Sequence, residues 1–169
     1  MTYFDTHAAV WLYAGLAEQF SPDVLAEIET AELRISPAVL LEIRLLQEIR
    51  RIEAGPYDVL PALQRDIGLT VCPIPFHQVI RAAFEESWTR DPFDRLIVAQ
   101  AKAGKGKLIS KDRAIRAAYR RPLWCVGPIA RRYIIAEHLR GRSQRAGMLI
   151  ASTAIMSLNR NWPGANIDT

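Results

Sequence analysis

The sequence has few of the features that mark secreted, membrane or zinc-binding chains. It contains only two cysteines, Cys72 and Cys125, which lie far apart and form no CxxC pair. We therefore expect small core side chains in a reducing compartment, and neither disulfides nor a zinc site. No apolar run approaches the about 18 residues that a membrane helix needs. The first residues, MTYFDTHAAV, have neither the basic segment nor the cleavage site of a signal peptide. These absences predict a cytoplasmic protein that does not associate with a membrane.

An excess of charge of either sign is also missing from most of the chain. Residues 1–127 carry equal numbers of basic and acidic residues, so the formal net charge of +4 lies wholly in residues 128–169. The length of 169 residues suits one domain with a hydrophobic core. We expect this domain over residues 1–127, followed by a basic extension over residues 128–169. The arginines between Arg131 and Arg145 could contact phosphates, or the extension could simply be solvated.

Short apolar runs alternate with helical patterns along the domain. The strand candidates are TYF, LRIS, LTVCPI, KLIS and LWCV. Ser21-Pro22 and Ser36-Pro37 begin two of the intervening helices, because Ser is a good N-cap and Pro fits the first helical position. Pro61 is expected to break or shift the helix near YDVLPALQRD. This alternation predicts an α/β fold whose parallel sheet is buried on both faces.

Glu42 stands where a helical wheel predicts an apolar side chain. Val39, Ile43, Leu46 and Ile49 form one arc of their helix, and Glu42 falls inside this arc. A buried carboxylate without a partner would cost several kcal/mol or would be protonated. We therefore expect a basic partner or a metal ion beside Glu42. A glutamate at the rim of the helix, in contact with water, is the alternative.

Aspartates follow two of the predicted strands and begin two helices. Asp5 comes after TYF, Asp112 follows KLIS, and Asp91 and Asp94 open the helix DPFDRLIVAQA. Each of them has an alternative role as a helix cap or as an acid of the first helical turn. In parallel α/β sheets, however, ligands lie beyond the carboxyl ends of the strands. If the aspartates and Glu42 converge, their repulsion requires a cation, and oxygen ligands favour Mg²⁺ or Mn²⁺.

Four stretches together resemble the acidic motifs of PIN domains, and most closely those of the VapC-type ribonuclease toxins of toxin–antitoxin pairs. They are YFDTHAAVWL, ISPAVLLEI, DPFDRLIVAQA and LISKD, and the resemblance covers residues 2 to about 126. It implies a PIN-like three-layer α/β/α fold with a central parallel sheet of four or five strands. It also implies a Mg²⁺- or Mn²⁺-dependent endoribonuclease that cleaves RNA, forms a homodimer and is inhibited by a cognate antitoxin.

The resemblance also assigns residues to the site. The positions that match the catalytic, metal-binding acids of the family are Asp5, Glu42, Asp94 and Asp112. Thr6 and Ser110 match hydroxyl positions beside the ion. Asp91 is expected to cap the helix that carries Asp94, and Arg95 flanks the acids where it could meet the RNA backbone. In the implied mechanism, a water activated by the ion attacks the scissile phosphate.

Other enzymes and binding proteins of α/β fold would need residues that this chain lacks. A haloacid-dehalogenase-type phosphotransferase would have an Asp two residues after Asp5, where this chain has His7. A receiver domain would have an Asp at the end of LTVCPIP, and a Rossmann domain would have a glycine-rich turn in place of DTHAA. Two alternatives remain: a catalytically silent PIN-like module that binds a protein partner, and another divalent-metal phosphoryl-transfer hydrolase of α/β fold.

Overall fold

The structure is a computed structural model that describes residues 1–120 and 122–124. The predicted basic extension, the domain boundary near residue 127 and Cys125 lie outside the described residues. Cys72 is buried, as expected for a core side chain. Among the helices of the described residues, none has the length and apolar character of a membrane span.

Five parallel strands form one sheet in the order β3-β2-β1-β4-β5. The strands are β1 (Thr2–Phe4), β2 (Leu33–Ile35), β3 (Thr70–Val71), β4 (Lys107–Ser110) and β5 (Pro122–Trp124). The helices are α1 (Thr6–Tyr13), α2 (Pro22–Thr30), α3 (Pro37–Glu48), α4 (Pro56–Ile67), α5 (Phe76–Ala83), α6 (Pro92–Ala103) and α7 (Arg113–Ala118), and a short 3-10 helix covers Ala17–Gln19. The prediction of a central parallel sheet with four or five strands is confirmed.

Both faces of the sheet are covered by helices, which gives three layers. Tyr3 and Phe4 point to opposite faces of β1, and both side chains are buried. Leu108 and Ile109 are buried in the same way on β4. Such strands have no polar face, which explains why their sequences read as short continuous apolar runs without alternation.

The helices that carry candidate site residues begin at the predicted caps. Ser36 Oγ accepts a hydrogen bond from the Ala38 N–H at the start of α3, and the Asp91 side chain accepts from two N–H groups at the start of α6. The following proline of each pair occupies the first turn, where its missing N–H has no helical partner to lose. These local signals fix where the helices begin, and thus how far along them Glu42 and Asp94 lie.

The prediction that Pro61 breaks or shifts its helix is wrong. Helix α4 runs without interruption from Pro56 to Ile67 and contains Pro61. The carbonyl that loses its N–H partner is that of Tyr57, a residue that is 89 % exposed, so water can bind this carbonyl. Packing of α4 against α1 and α3 holds the helix together on its other side, where Val59 and Leu63 are buried.

Candidate metal centre

The candidate acids lie at the carboxyl end of the sheet, beside β1 and β4. Asp5 directly follows β1, and its backbone N–H donates to the carbonyl oxygen of Ile109 in β4 at 3.0 Å. Strand β2 pairs with one edge of β1, and β4, which comes later in the chain, pairs with the other edge. The strand order therefore reverses between β1 and β4. A reversal of this kind leaves a crevice at the strand ends, and ligands of open α/β folds bind there.

Thr6 and Ser110 link three of the acids in a hydrogen-bond network. Ser110 Oγ donates to Asp5 Oδ2 at 2.7 Å and accepts from the Asp112 N–H at 3.0 Å. The Thr6 N–H donates to Asp5 Oδ1 at 2.6 Å, and Thr6 Oγ1 donates to Glu42 Oε2 at 2.5 Å. Asp112 in addition caps α7, because its Oδ1 accepts from two N–H groups of that helix. Thr6 and Ser110 thus lie among the acids, where the resemblance put them.

Asp94 is held by the loop that precedes α6. Asp91 Oδ1 accepts from the N–H groups of Phe93 at 2.8 Å and Asp94 at 3.3 Å, which confirms the prediction that Asp91 caps the helix. Thr89 Oγ1 accepts from the Asp91 N–H at 3.1 Å and donates to Asp94 Oδ2 at 3.4 Å. Arg95 Nε donates to the Thr89 carbonyl at 2.6 Å and so fixes the same loop. The predicted contact of Arg95 with RNA stays a prediction.

Burial and mutual repulsion raise the pKa values of three acids. The pKa of Glu42 rises to about 8, first through burial and then through the charge of Asp5. The pKa of Asp94 rises to about 7, again first through burial and then through the charge of Asp91. The pKa of Asp5 rises to about 6, because burial and the charge of Asp112 outweigh the hydrogen bonds that it accepts. The carboxylates that share this electrostatic environment are Asp5, Glu42, Asp91, Asp94 and Asp112.

Glu42 projects from the edge of the buried face of α3. Val39, Ile43 and Leu46 are buried as predicted, and Glu42 itself is half-buried. The prediction that Ile49 belongs to the buried arc is wrong, because α3 ends at Glu48 and Ile49, its C-cap, is 53 % exposed. In the described residues, the Glu42 carboxylate is bound by the Thr6 hydroxyl and not by a lysine or arginine. A metal ion beside Glu42 stays a prediction, and so does the alternative of a glutamate at the rim of the helix, in contact with water.

The chemistry of these donors fits a hard divalent ion. Carboxylate and hydroxyl oxygens are the ligands of Mg²⁺ and Mn²⁺, and no thiolate or imidazole ligand is needed. In residues 1–120 and 122–124, no three Asp, Glu, His or Cys side chains converge closely enough to enclose an ion by themselves. Mg²⁺ commonly binds one or two carboxylates directly and keeps several waters, so a loose group of acids suits it. Which of the acids bind the ion directly stays a prediction.

Comparison with known proteins agrees with the fold. The family described as "PIN domain" matches residues 2–121. The chain belongs to the PIN-domain family. Family membership supports a nuclease as its class of activity. A chain in the crystal structure of VapBC2 from Rickettsia felis, bound to a DNA fragment from their promoter, is similar at 14% identity with a TM-score of 0.51. The match covers 73% of this chain and 97% of that chain, and at this identity it shows a shared fold. No curated protein matches the chain significantly.

A buried hydrogen bond joins the two helices of this PIN domain that carry Glu42 and Asp94. Ser36 Oγ donates to Gln100 Oε1 at 2.6 Å, and both side chains are buried. Ser36 caps α3, and Gln100 lies on α6, which packs against α3. The pair therefore ties together the helices from which two of the acids project. It was not predicted, because a glutamine in a helix is ordinarily exposed.

Replacing Ser36 by Ala is expected to destabilise this PIN domain more than the loss of a helix cap alone. The change removes the cap at Ala38, which costs about 1 kcal/mol, and it leaves the buried Gln100 amide without its hydroxyl partner, at about 1–3 kcal/mol more. Ser21→Ala is the matched control, because Ser21 also precedes a proline and caps its helix at Val24. Urea unfolding should show the larger loss for Ser36→Ala. Equal losses would contradict a structural role for the bond between the helices.

Proposed function

We propose that the chain is a Mg²⁺- or Mn²⁺-dependent endoribonuclease and the toxin of a toxin–antitoxin pair. The observation that carries this proposal is the gathering of five carboxylates where the strand order reverses, with three pKa values raised. Burial and mutual repulsion both disfavour the ionised carboxylates, and a divalent cation would offset both effects. We assign the nuclease to residues 1–127 and treat residues 128–169 as a basic extension, because the family match ends at residue 121 and β5 ends at Trp124.

The residues of the chain would position the ion and the attacked phosphate. The acids proposed to hold the ion, directly or through water, are Asp5, Glu42, Asp94 and Asp112. When bound, the ion would activate a water and polarise a phosphate oxygen. Thr6 and Ser110 orient the carboxylates of Glu42 and Asp5 through their hydrogen bonds. Because the pKa of Glu42 is raised to about 8, a cation that binds its carboxylate would compete with a proton near neutral pH.

Removal and return of metal tests the proposed activity. Cleavage of single-stranded RNA by the full chain should stop when EDTA is added, and excess Mg²⁺ or Mn²⁺ should restore it. RNA binding without cleavage at any metal concentration would instead support the catalytically silent alternative. Metal-dependent hydrolysis of phosphomonoesters, with RNA left intact, would support another phosphoryl-transfer hydrolase. Gel analysis of end-labelled RNA also shows whether the cuts are internal.

We also propose that the chain forms a homodimer and binds a cognate antitoxin, and exposed apolar side chains support a protein partner. Leu41 and Leu45 on one side of α3 and Ile49 at its C-cap are spaced by four residues and are 61%, 41% and 53% exposed. Phe76 and Phe84, at the two ends of α5, are exposed as well. Exposed apolar patches commonly mark protein interfaces. Light scattering of the purified chain should give the mass of a dimer, and a monomer at micromolar concentration would contradict the homodimer.

A further inference from the structure

Lys111 lies beside the group of acids, in the loop between β4 and α7. Its neighbours in the chain are Ser110 and Asp112, and its side chain is half-buried. Its Nζ lies over the Trp11 ring, 5.0 Å from the ring centroid. Trp11 is 4 % exposed and is fixed in α1, the helix that begins directly after Asp5. A cation over a buried aromatic face is held by the charge distribution of the ring, so the position of the Lys111 ammonium is restricted.

The charge of Lys111 reaches the centre of the acidic group. Lys111 acts to lower the pKa of Asp5, against the larger effect of burial, and it adds to the effect of burial in lowering the pKa of His7. Both residues lie where β1 ends and α1 begins. The ammonium that is held over the ring of Trp11 therefore acts electrostatically on the carboxylate at the carboxyl end of β1.

Other basic side chains near the acids include two that bind backbone carbonyls. Arg95 Nε donates to the Thr89 carbonyl at 2.6 Å, and Arg116 Nε donates to the Asp112 carbonyl at 3.2 Å, so both hold backbone. Arg113 is exposed on the first turn of α7. A group of five carboxylates repels RNA, and a cation at its edge would offset this repulsion where the phosphate approaches.

We propose that Lys111, held over Trp11, contacts a phosphate of the RNA strand beside the carboxylates. This inference rests on the proposed ribonuclease function and adds a substrate contact to it. Lysine suits the task because its ammonium acts as a point charge on phosphate oxygens and needs no fixed bidentate geometry. Lys111 does not take part in the transfer of a proton or in bond formation. It neutralises charge on the phosphate.

The salt dependence of RNA binding tests this contact without requiring cleavage. The probe is a fluorescein-labelled single-stranded RNA oligonucleotide of mixed sequence, and binding is measured by anisotropy in Mg²⁺ at several salt concentrations. Asp94→Asn serves as the background so that the probe stays intact. Adding Lys111→Met should make the slope of log Kd against log salt shallower by about 0.7, the value for one contact to a single strand. Lys111→Arg should keep the slope, because it keeps the charge.

Lys105→Met is the matched control, because Lys105 lies before β4, at the opposite end of that strand from Lys111. It should leave the slope unchanged, and an equal slope for Lys105→Met and Lys111→Met would overturn the proposal. If Lys111 only balanced the charge of Asp5, its removal would instead strengthen Mg²⁺ binding, measured by calorimetry, and leave the slope unchanged. That result would overturn the proposal too. If the wild type does not cleave RNA but Lys111→Met changes the slope as expected, the proposed ribonuclease function is refuted and the proposed phosphate contact is supported.

Discussion

Replacing Asp94 by Asn, or Glu42 by Gln, is expected to abolish metal-dependent cleavage and to raise the thermal stability of the metal-free protein. A bound metal ion supplies several kcal/mol of transition-state stabilisation, so loss of one acid that holds it should lower kcat by on the order of a thousandfold. The stability change has the opposite sign, because the raised pKa values mean that folding disfavours the ionised forms of both acids. A neutral amide of the same shape removes that repulsion. We expect a gain on the order of 1–2 kcal/mol at pH 8, which is about 2–4 °C in Tm per kcal/mol.

The control for this prediction is Asp23→Asn, a change of the same chemistry at an exposed position in the first turn of α2. It should leave cleavage unchanged and should not raise Tm, since Asp23 stabilises its helix through the dipole. Cleavage rates and melting curves in EDTA are measured on the same preparations. If a variant of Asp94 or Glu42 loses both stability and activity, the acid has a structural role, and its assignment to the metal site is contradicted. Full activity would remove that residue from the site.

The local features of the fold could be predicted because they depend on neighbouring residues. Ser36 and Asp91 begin their helices through hydrogen bonds to N–H groups two or three positions along the chain. A sequence displays such pairs directly. Pro61 shows the limit of local rules, because packing of one side of α4 against α1 and α3 outweighs the loss of a single hydrogen bond on the exposed side.

The convergence of the acids could not be derived from the residues alone. Asp5 and Ser110 are separated by 105 positions, and their hydrogen bond exists only because β4 pairs with β1 and not with β3. Strand order is a property of the whole sheet, and it cannot be read from the sequence of β1 or of β4. Resemblance to PIN domains supplied this information, because the four motifs carry the family's topology with them. The resemblance therefore assigned Asp5, Glu42 and Asp94 to one site, and in the structure burial and the charge of Asp5 raise the pKa values of Glu42 and Asp94.

Side chains that support the acids were harder to predict than the acids themselves. Thr89 is an ordinary loop residue in sequence, and its bond to Asp94 becomes visible only once the turn before α6 is formed. Gln100 sits six residues after Asp94 on a helix, and its burial depends on how closely α6 approaches α3. Both cases are side-chain contacts set by tertiary packing. Periodicity reports which face of a helix is apolar, but it does not report which polar group is enclosed.

Without a divalent cation, the free energy of unfolding is expected to fall as the pH rises from about 7 to about 9. In the unfolded chain, Asp and Glu titrate near pH 4. In the folded chain, the pKa values of Asp5, Asp94 and Glu42 are raised to about 6, about 7 and about 8. Between these limits the folded state holds more protons than the unfolded chain. The contribution of these acids to the free energy of unfolding is therefore complete below pH 4 and is lost as the pH rises through each folded pKa. Burial lowers the pKa of His7 to about 3, so His7 makes the free energy of unfolding rise with pH up to about pH 6.5. The expected fall is therefore measured from pH 7 upwards.

Mg²⁺ should reverse this dependence, because it binds the ionised carboxylates and competes with their protons. The rise in Tm caused by Mg²⁺ is therefore expected to be small at pH 5.5 and to reach several degrees at pH 8.5, as measured by scanning fluorimetry against EDTA. NaCl at equal ionic strength is the control, since screening alone acts on exposed charges and little on buried ones. In a chain with both Asp94→Asn and Glu42→Gln, the fall with pH and the Mg²⁺ response should shrink together. A Mg²⁺ response that is the same at both pH values, or that persists in the double variant, would show that the ion binds elsewhere.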